Sequence, residues 1–327
     1  AYKCTDCPEE SNIPVFDNYT VTTLAGQTGV SGSNNGQGSA ASFNNPYGVA
    51  VDTSGNVYVA DQNNHLIRKI DSSGNVTTLA GQAGVSGSND GQGTAARFKN
   101  PTGVALDSSG NIYVADKKNH LIRKIDSSGN VTTLAGQAGV SGSTNGQGTA
   151  ASFKPPNGVA VDSSGNVYVA DSSNHLIRKI DSSGNVSTLA GSAWSSGSTN
   201  GQGTAAKFYY PFGVAVDTSG NVYVADQNNH LIRKIDSSGN VTTLAGQAGV
   251  SGSNDGQGTA ARFKNPTGVA LDSSGNIYVT DKTNHLIRKI DSSGNVTTLA
   301  GQAGVDGSAN GQGSAASFNN PYGVAVD

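Results

Sequence analysis

Residues 48–80 read GVAVDTSGNVYVADQNNHLIRKIDSSGNVTTLA, and four short apolar runs within them decide the fold. Gly48 to Asp52 (GVAVD) is continuously apolar up to its last residue, as expected of a strand covered on both faces. Thr53-Ser54-Gly55 reads as a turn into Asn56 to Asp61 (NVYVAD), rich in strand-forming Val and Tyr. After Gln62-Asn63-Asn64, the run His65 to Ile70 (HLIRKI) interrupts its apolar residues with Arg68 and Lys69, which predicts a strand nearer the rim. Asp71-Ser72-Ser73-Gly74 is a turn signal, because Gly tolerates positive φ and Asp caps its own backbone. Val76 to Ala80 (VTTLA) is then the expected outermost strand.

The same stretch recurs along the chain. Asn-His-Leu returns with His65, His120, His175, His230 and His285, each 55 residues after the last. The apolar Gly-Val-Ala run begins at Gly48, Gly103, Gly158, Gly213, Gly268 and Gly323, on the same period. The Leu-Ala-Gly run begins its strand at Val21, Val76, Val131, Val186, Val241 and Val296. A four-stranded antiparallel sheet of this size cannot bury both faces alone, whereas radial stacking of such sheets does. The expectation is therefore an all-β protein, a β-propeller of four-stranded antiparallel blades. Residues 1–19 read as a leader, and residues 20–327 as a single propeller.

The units resemble NHL repeats, the family named for the tripeptide at Asn64-His65-Leu66 and its four copies. The Pro-x-Gly-Val-Ala entry and the Val-Ala-Asp end of the second strand carry the resemblance further. It implies six blades. The Gly/Ser-rich connection before each inner strand is longer than the family's usual one.

Strand counting qualifies that expectation. Six inner and six outer runs flank only five copies of the two middle ones. The most economical ring has a composite last blade, its outer strand from the N-terminal end (Val21, Leu24) and its inner strand from the C-terminal end (Val324, Val326). Further residues beyond Asp327, strands from a neighbouring copy, or closure by five blades alone would each resolve the two missing strands. Gly36–Asp52 reappears unchanged as Gly311–Asp327, which favours a longer array or head-to-tail assembly.

Composition bounds the function. Gly contributes 45 of 327 residues, charged residues only 13%, and the net charge is −3. That balance argues against nucleic acid and anionic membrane as partners, and no apolar run approaches the ~20 residues of a membrane span. Cys4 and Cys7 lack the further ligands of a zinc site, so a local disulfide, with a cross-link to another chain as the alternative, is the expectation for a secreted or surface protein. Asn-x-Ser/Thr sequons at Asn18, Asn75, Asn130, Asn185, Asn240 and Asn295 agree with an extracellular location and a glycosylated rim, although Gly-Asn is also ordinary turn chemistry.

An enzyme needs different residues placed asymmetrically, whereas the polar groups here recur in every blade. His65 and its copies read as structural, and Asp52, Asp61 and Asp71 with their copies as residues that cap turns and bridge adjacent blades. The resemblance also covers lyases and hydrolases with a metal near the axis, but the varied His and Asp residues of such sites do not occur here. No cofactor is expected. Calcium is only weakly suggested by Ser88-Asn89-Asp90-Gly91, which lacks an EF-hand's acidic series. Where the repeats break, Gly-Gln-Ala-Gly-Val becomes Gly191-Ser192-Ala193-Trp194-Ser195, and the same connection ends Phe208-Tyr209-Tyr210-Pro211-Phe212. Trp194, Tyr209, Tyr210 and Phe212 are thus the candidate contacts for a protein or glycan partner, unless they simply staple their own loop. The sequence therefore predicts a non-enzymatic, extracellular interaction or structural propeller. Its partners would be other proteins, copies of itself forming fibres through the incomplete blade, or a glycan.

Overall fold

The structure, a computed structural model, describes residues 19–327. The predicted leader with Cys4, Cys7 and Asn18 lies outside the described residues. The first blade shows how each unit is built. After β1 (Thr20–Val21), the chain forms β2 (Gly36–Gln37), β3 (Pro46–Val51), β4 (Val57–Asp61), β5 (Leu66–Ile70) and β6 (Asn75–Gly81). All neighbours pair antiparallel, in the order β3-β4-β5-β6-β2 from the axis outward. Pro46 faces Asp61, Asp61 faces Leu66, and Ile70 faces Val76, so each hairpin keeps the register its turn residues dictate.

Four further sheets repeat this order, and no α-helix occurs among the described residues. Each blade therefore has five strands rather than four. The extra edge strand is the Gly-Gln pair of the long incoming connection, so Val76–Ala80 is not outermost. His65 is also not in a strand. It closes a 3-10 turn (Gln62–Asn64) in the left-handed conformation, φ +62°, and the strand starts at Leu66.

The cores lie between blades. Tyr58, Ala60 and Ile67 of the first blade pack with Phe98, Val104, Ile112 and Val114 of the second. Equivalent clusters join the second to the third blade, the third to the fourth and the fourth to the fifth. Each fully buried large apolar side chain contributes roughly 1.5–3 kcal/mol, so these clusters hold the ring together. At the axis the inner strands touch backbone to backbone. A Cβ on Gly48 would stand 2.2 Å from the Thr102 carbonyl oxygen, so only glycine permits this approach.

The expected sixth blade is not formed: the sheets make five blades. The sixth position holds only a frame. β1 pairs with Gly311–Gln312 on the outside, Thr20 opposite Gln312 and Val21 opposite Gly311. On the inside a Cβ on Gly323 would lie 2.5 Å from the Tyr47 carbonyl oxygen, so the last inner segment closes the axial ring. Val324 and Val326 line the axial funnel rather than a strand pair, and Leu24 is 53% exposed. The expected composite sixth blade is thus not borne out: β1 pairs only with Gly311–Gln312, and no sixth blade assembles among the described residues.

One arginine side chain organises each blade. Arg68, in the strand expected nearer the rim, is completely buried, as are Arg123, Arg178, Arg233 and Arg288. Arg68 donates to Asp61 (2.8 Å), to the Ser42 and Asn34 carbonyls (3.1 and 2.9 Å) and to Asn35 Oδ1 (2.9 Å), with its guanidinium 5.1 Å from the Phe43 ring centre. It thereby ties the long incoming loop to the blade. Asp61 is accordingly the centre of a buried ion pair and not a turn cap.

Candidate functional site

The disc has two unlike faces. Asp52 and Asp71, with their copies, cap the hairpins of one face. Asp52 accepts from the Ser54 and Asn56 amides, the Asn56 side chain and the Tyr58 hydroxyl at 2.8–3.1 Å. Burial pushes its pKa up, but these donors outweigh it and the net shift is downward. Tyr58 is pushed up to about 12 by burial and by that same carboxylate. The other face carries the 3-10 turns and the histidines. Here the Asp116, Asp171, Asp226 and Asp281 carboxyls are buried beside Arg123, Arg178, Arg233 and Arg288, and burial raises each to about 6 against the pull of its hydrogen-bond donors and guanidinium.

The histidines are also committed to structure. The amides of Asn100, Tyr210, Asn265 and Asn320 donate to Nδ1 of His65, His175, His230 and His285 at 3.1–3.2 Å. His120 Nδ1 has no partner, because its turn in the next blade presents Pro155, which has no N–H to give. Burial lowers the pKa of His65, His120, His175 and His230, and nearby lysines add to the effect.

Those lysines define the face. The Lys99, Lys154 and Lys264 amides bond the buried carboxylates Asp116, Asp171 and Asp281, which places these residues beside the histidine turns. Lys117 and Lys282 start two of the 3-10 turns, and Lys118 follows. Burial and the charges of Lys118 and Lys282 hold the Lys117 amine below its usual range. The buried aspartates of this face are paired with arginine, and among the described residues no ion pair reaches Lys99, Lys117, Lys118, Lys154 or Lys282. The net charge of −3 conceals this sorting, which only the fold reveals.

The aromatic residues singled out by the sequence separate into two groups. Trp194 is 59% exposed and Tyr209 43% exposed, both on the lysine-bearing face. The Lys154 amine stands 4.2 Å from the Trp194 ring centre, and Tyr209 meets the His175 ring edge-on at 5.7 Å. Trp194 adopts φ +64° at a position where the other copies place Gly29, Gly84, Gly139, Gly249 and Gly304. Tyr210 adopts φ +57° where Asn45, Asn100, Asn265 and Asn320 stand in other blades. A left-handed conformation costs an ordinary residue about 1–2 kcal/mol, least for Asn and Gly. The rings do not staple one another. Their loop instead holds aromatic side chains in a conformation chosen elsewhere for glycine and asparagine.

Phe212 belongs to a second group that the sequence did not suggest. It lies 5.7 Å from Tyr47 and 6.1 Å from Tyr322 across the mouth of the axial channel, and Tyr47 stacks on Tyr322 at 3.9 Å. Lys282 and Lys117 reach the Tyr322 and Tyr47 rings at 4.4 and 5.7 Å. Burial raises Tyr322, but the hydrogen bonds from Lys282 and Tyr47 outweigh it and lower its pKa. The signal was available in the period, since all three residues immediately precede an axial glycine.

Of the remaining candidates, Asp90 in the calcium-like loop is held by Arg123 at 2.7 Å and by Thr133. Among the described residues no three His, Cys, Asp or Glu side chains converge as metal donors, and no helix is long and apolar enough to cross a membrane. Asn75, Asn130, Asn185, Asn240 and Asn295 are exposed at the start of the fourth strand in each blade.

Comparison with known proteins places this geometry. The NHL repeat model matches residues 43–70, 98–125, 153–180, 208–235 and 263–290, one match per blade. No curated protein matches the sequence. Among solved structures, a protein of unknown function from Bacteroides thetaiotaomicron VPI-5482 aligns with TM-score 0.72 at 23% identity, over 94% of this chain and 70% of that one. An auxiliary nutrient binding protein from the same strain aligns with TM-score 0.70 at 18% identity, over 94% and 71%. A gluconolactonase from Xanthomonas campestris aligns with TM-score 0.55 at 13% identity, over 83% and 77%. At these identities the likeness is one of fold. The matches run from Phe43 to Ile70 and over the same span in each later blade, through the end of the third strand, and the chain belongs to the NHL-repeat β-propellers.

Proposed function

We propose that this chain is a non-enzymatic, extracellular recognition propeller whose lysine-bearing face holds an acidic carbohydrate through Trp194. One observation carries the reading: the sole tryptophan is exposed in a left-handed conformation that the five other copies give to glycine. Strain maintained at an exposed aromatic contributes nothing to packing, so a ligand is the reason to retain it. An indole presents a flat apolar surface to the C–H face of a sugar ring, and Lys154 beside it supplies the partner for a carboxylate or sulfate. Two structural neighbours titled auxiliary nutrient binding proteins agree with a binding role. The non-enzymatic part rests on the repeated Asp, Arg and His groups, nearly all held in structural bonds. Binding of polygalacturonate, with neutral dextran and polyglutamate as controls, tests the reading. Only the first offers sugar faces and carboxylates together.

A second reading, head-to-tail assembly, draws on the unchanged repetition of Gly36–Asp52 as Gly311–Asp327. Sedimentation velocity at increasing concentration tests it. Association that is lost on deleting residues 1–26 supports it, and a monomer throughout contradicts it. Intact mass of native material before and after glycan removal tests the extracellular, glycosylated reading.

A further inference from the structure

From Pro46 to Val76 the copies are almost the same sequence, and most exchanges within that span are mild: Val for Leu or Ile, Thr for Ser, and one Ala for Thr. Three positions change in chemical character. The residue before the axial glycine is Tyr47, Thr102, Asn157, Phe212, Thr267 or Tyr322. The first residue of the 3-10 turn is Gln62, Lys117, Ser172, Gln227 or Lys282, and the residue after it varies too, with Lys118 in the second blade. The fold brings these positions together at one end of the axial channel. The first set lines the channel, and the turns lean over it: Asn157 Nδ2 donates to Ser172 Oγ at 2.8 Å, and Lys117 reaches the Tyr47 ring at 5.7 Å. The opposite end is lined in every blade by Val-Ala-Val or Val-Ala-Leu. Packing six inner segments around an axis therefore needs no variety, and the variety is confined to one mouth.

We infer that this axial mouth is a binding site for one small organic dianion carried on a flat ring. Two ammonium groups meet there. The second and fifth blades lie opposite each other in the ring of six inner segments, yet Lys117 and Lys282 both reach the stacked Tyr47–Tyr322 pair, at 5.7 and 4.4 Å from the ring centres. Both lysines are half-buried, and among the described residues no carboxylate pairs with either. The aspartates that precede them, Asp116 and Asp281, are already bound to Arg123 and Arg288. Like charges brought together out of water are unfavourable unless a counter-charge joins them, and two ammonium groups match two negative charges.

The walls give the rest of the ligand. Phe212 is buried at the mouth beside Tyr47 and Tyr322, so three aromatic rings border the two amines. Such rings take another flat ring edge-on or offset. Asn157 is buried in the channel wall with its Oδ1 lacking any hydrogen-bond partner, an acceptor for a water or a ligand donor in the channel. Behind the mouth the channel offers only ≈ 60 Å³, which limits the ligand to a small molecule seated at the opening. Lys117, Asn157 and Phe212 come from the second, third and fourth blades, well away from Trp194 in sequence and role.

The repeat itself supplies the test variants. Gln occupies the lysine position in the first and fourth blades, and Thr occupies the Phe212 position in the second and fifth. A double variant, Lys117→Gln with Lys282→Gln, and a single variant, Phe212→Thr, thus build turns and channel walls the fold already uses. Isothermal titration calorimetry on the full chain at about pH 8, where phosphate esters are dianions, compares phenyl phosphate, phthalate and inorganic phosphate with neutral benzyl alcohol. Saturable binding of phenyl phosphate or phthalate at one per chain is expected, with no binding of benzyl alcohol. Phenyl phosphate alone makes the ligand a phosphate ester, and phthalate alone makes it a dicarboxylate. The double variant should bind at least about tenfold more weakly. Phe212→Thr should weaken the ring-bearing anion at least about threefold and leave inorganic phosphate unchanged. Trp194→Gly should bind the dianion like the native chain while losing carbohydrate, which separates this site from the proposed function. No saturable binding of either ring-bearing anion, or equal affinity in the native chain and the double variant, overturns the inference.

Discussion

Trp194 stands where Gly139 stands one repeat earlier, both left-handed, at φ +64° and +75°. The same backbone turn is therefore made in one copy by a large exposed ring and in the others by the residue suited to it. Lys154 then lies against that ring. A turn that tolerates glycine needs no tryptophan, so the exchange trades stability for surface.

Trp194→Gly should accordingly stabilise the protein, by roughly 0.5–1 kcal/mol, while abolishing carbohydrate binding. Chemical denaturation and a binding titration on the same preparation check both halves. A variant that is less stable, or that binds as well as the native chain, contradicts this account.

Breaking one buried pair should be far more damaging. Arg178→Met leaves Asp171 without its guanidinium and unties the Ser152 and Thr144 carbonyls and Asn145 of the incoming loop. A loss of about 3–5 kcal/mol is expected, and Arg178→Lys should restore less than half of it. Urea denaturation midpoints read the ranking directly.

The histidines give a pH dependence with a definite sign. The folded-state pKa values of His65, His120, His175 and His230 lie below the usual 6.5, so the unfolded chain takes up protons first. Their contribution is complete above about pH 6.5 and is lost as pH falls through that value towards the lower folded-state values. The buried Asp116, Asp171, Asp226 and Asp281, raised to about 6, act in the opposite sense, their contribution falling as pH rises from about 4 to 6. A variant with His65→Asn, His120→Asn, His175→Asn and His230→Asn isolates the first set, since Asn accepts the left-handed turn. Melting temperatures at pH 7 and 5 should fall less in this variant than in the native chain, and an equal fall would refute the assignment.

The axial stack of Tyr47 on Tyr322 joins the first blade to the last inner segment. Tyr322→Ala should weaken that closure by about 1–2 kcal/mol. Hydrogen exchange should then accelerate at Gly323–Asp327 and at Thr20–Val21, and remain unchanged in the third blade, where nothing depends on the seam.

The propeller was legible because period and turn chemistry repeat at one fixed spacing, whereas the expected composite sixth blade did not form. The burial of Arg68 was not legible, because alternating charges place a strand nearer the rim but do not show the Asp61, Ser42 and Asn34 groups that enclose the guanidinium. Edge strand Gly36–Gln37 is too short and too poor in side chains to announce itself. Trp194 was visible as an exception, but its strain appears only when its φ is set beside that of Gly139. Phe212 looked like part of that loop until the ring closed and brought it to Tyr47 and Tyr322. The cationic face depends on which aspartates arginine neutralises, which composition cannot show.

Because the chain has a single tryptophan, its emission reports the proposed site alone. Titrating the native protein with polygalacturonate should produce a saturable change in Trp194 emission that dextran and polyglutamate do not reproduce. Emission unchanged up to concentrations at which polygalacturonate shows bound protein by sedimentation, or no binding at all, would contradict recognition through Trp194.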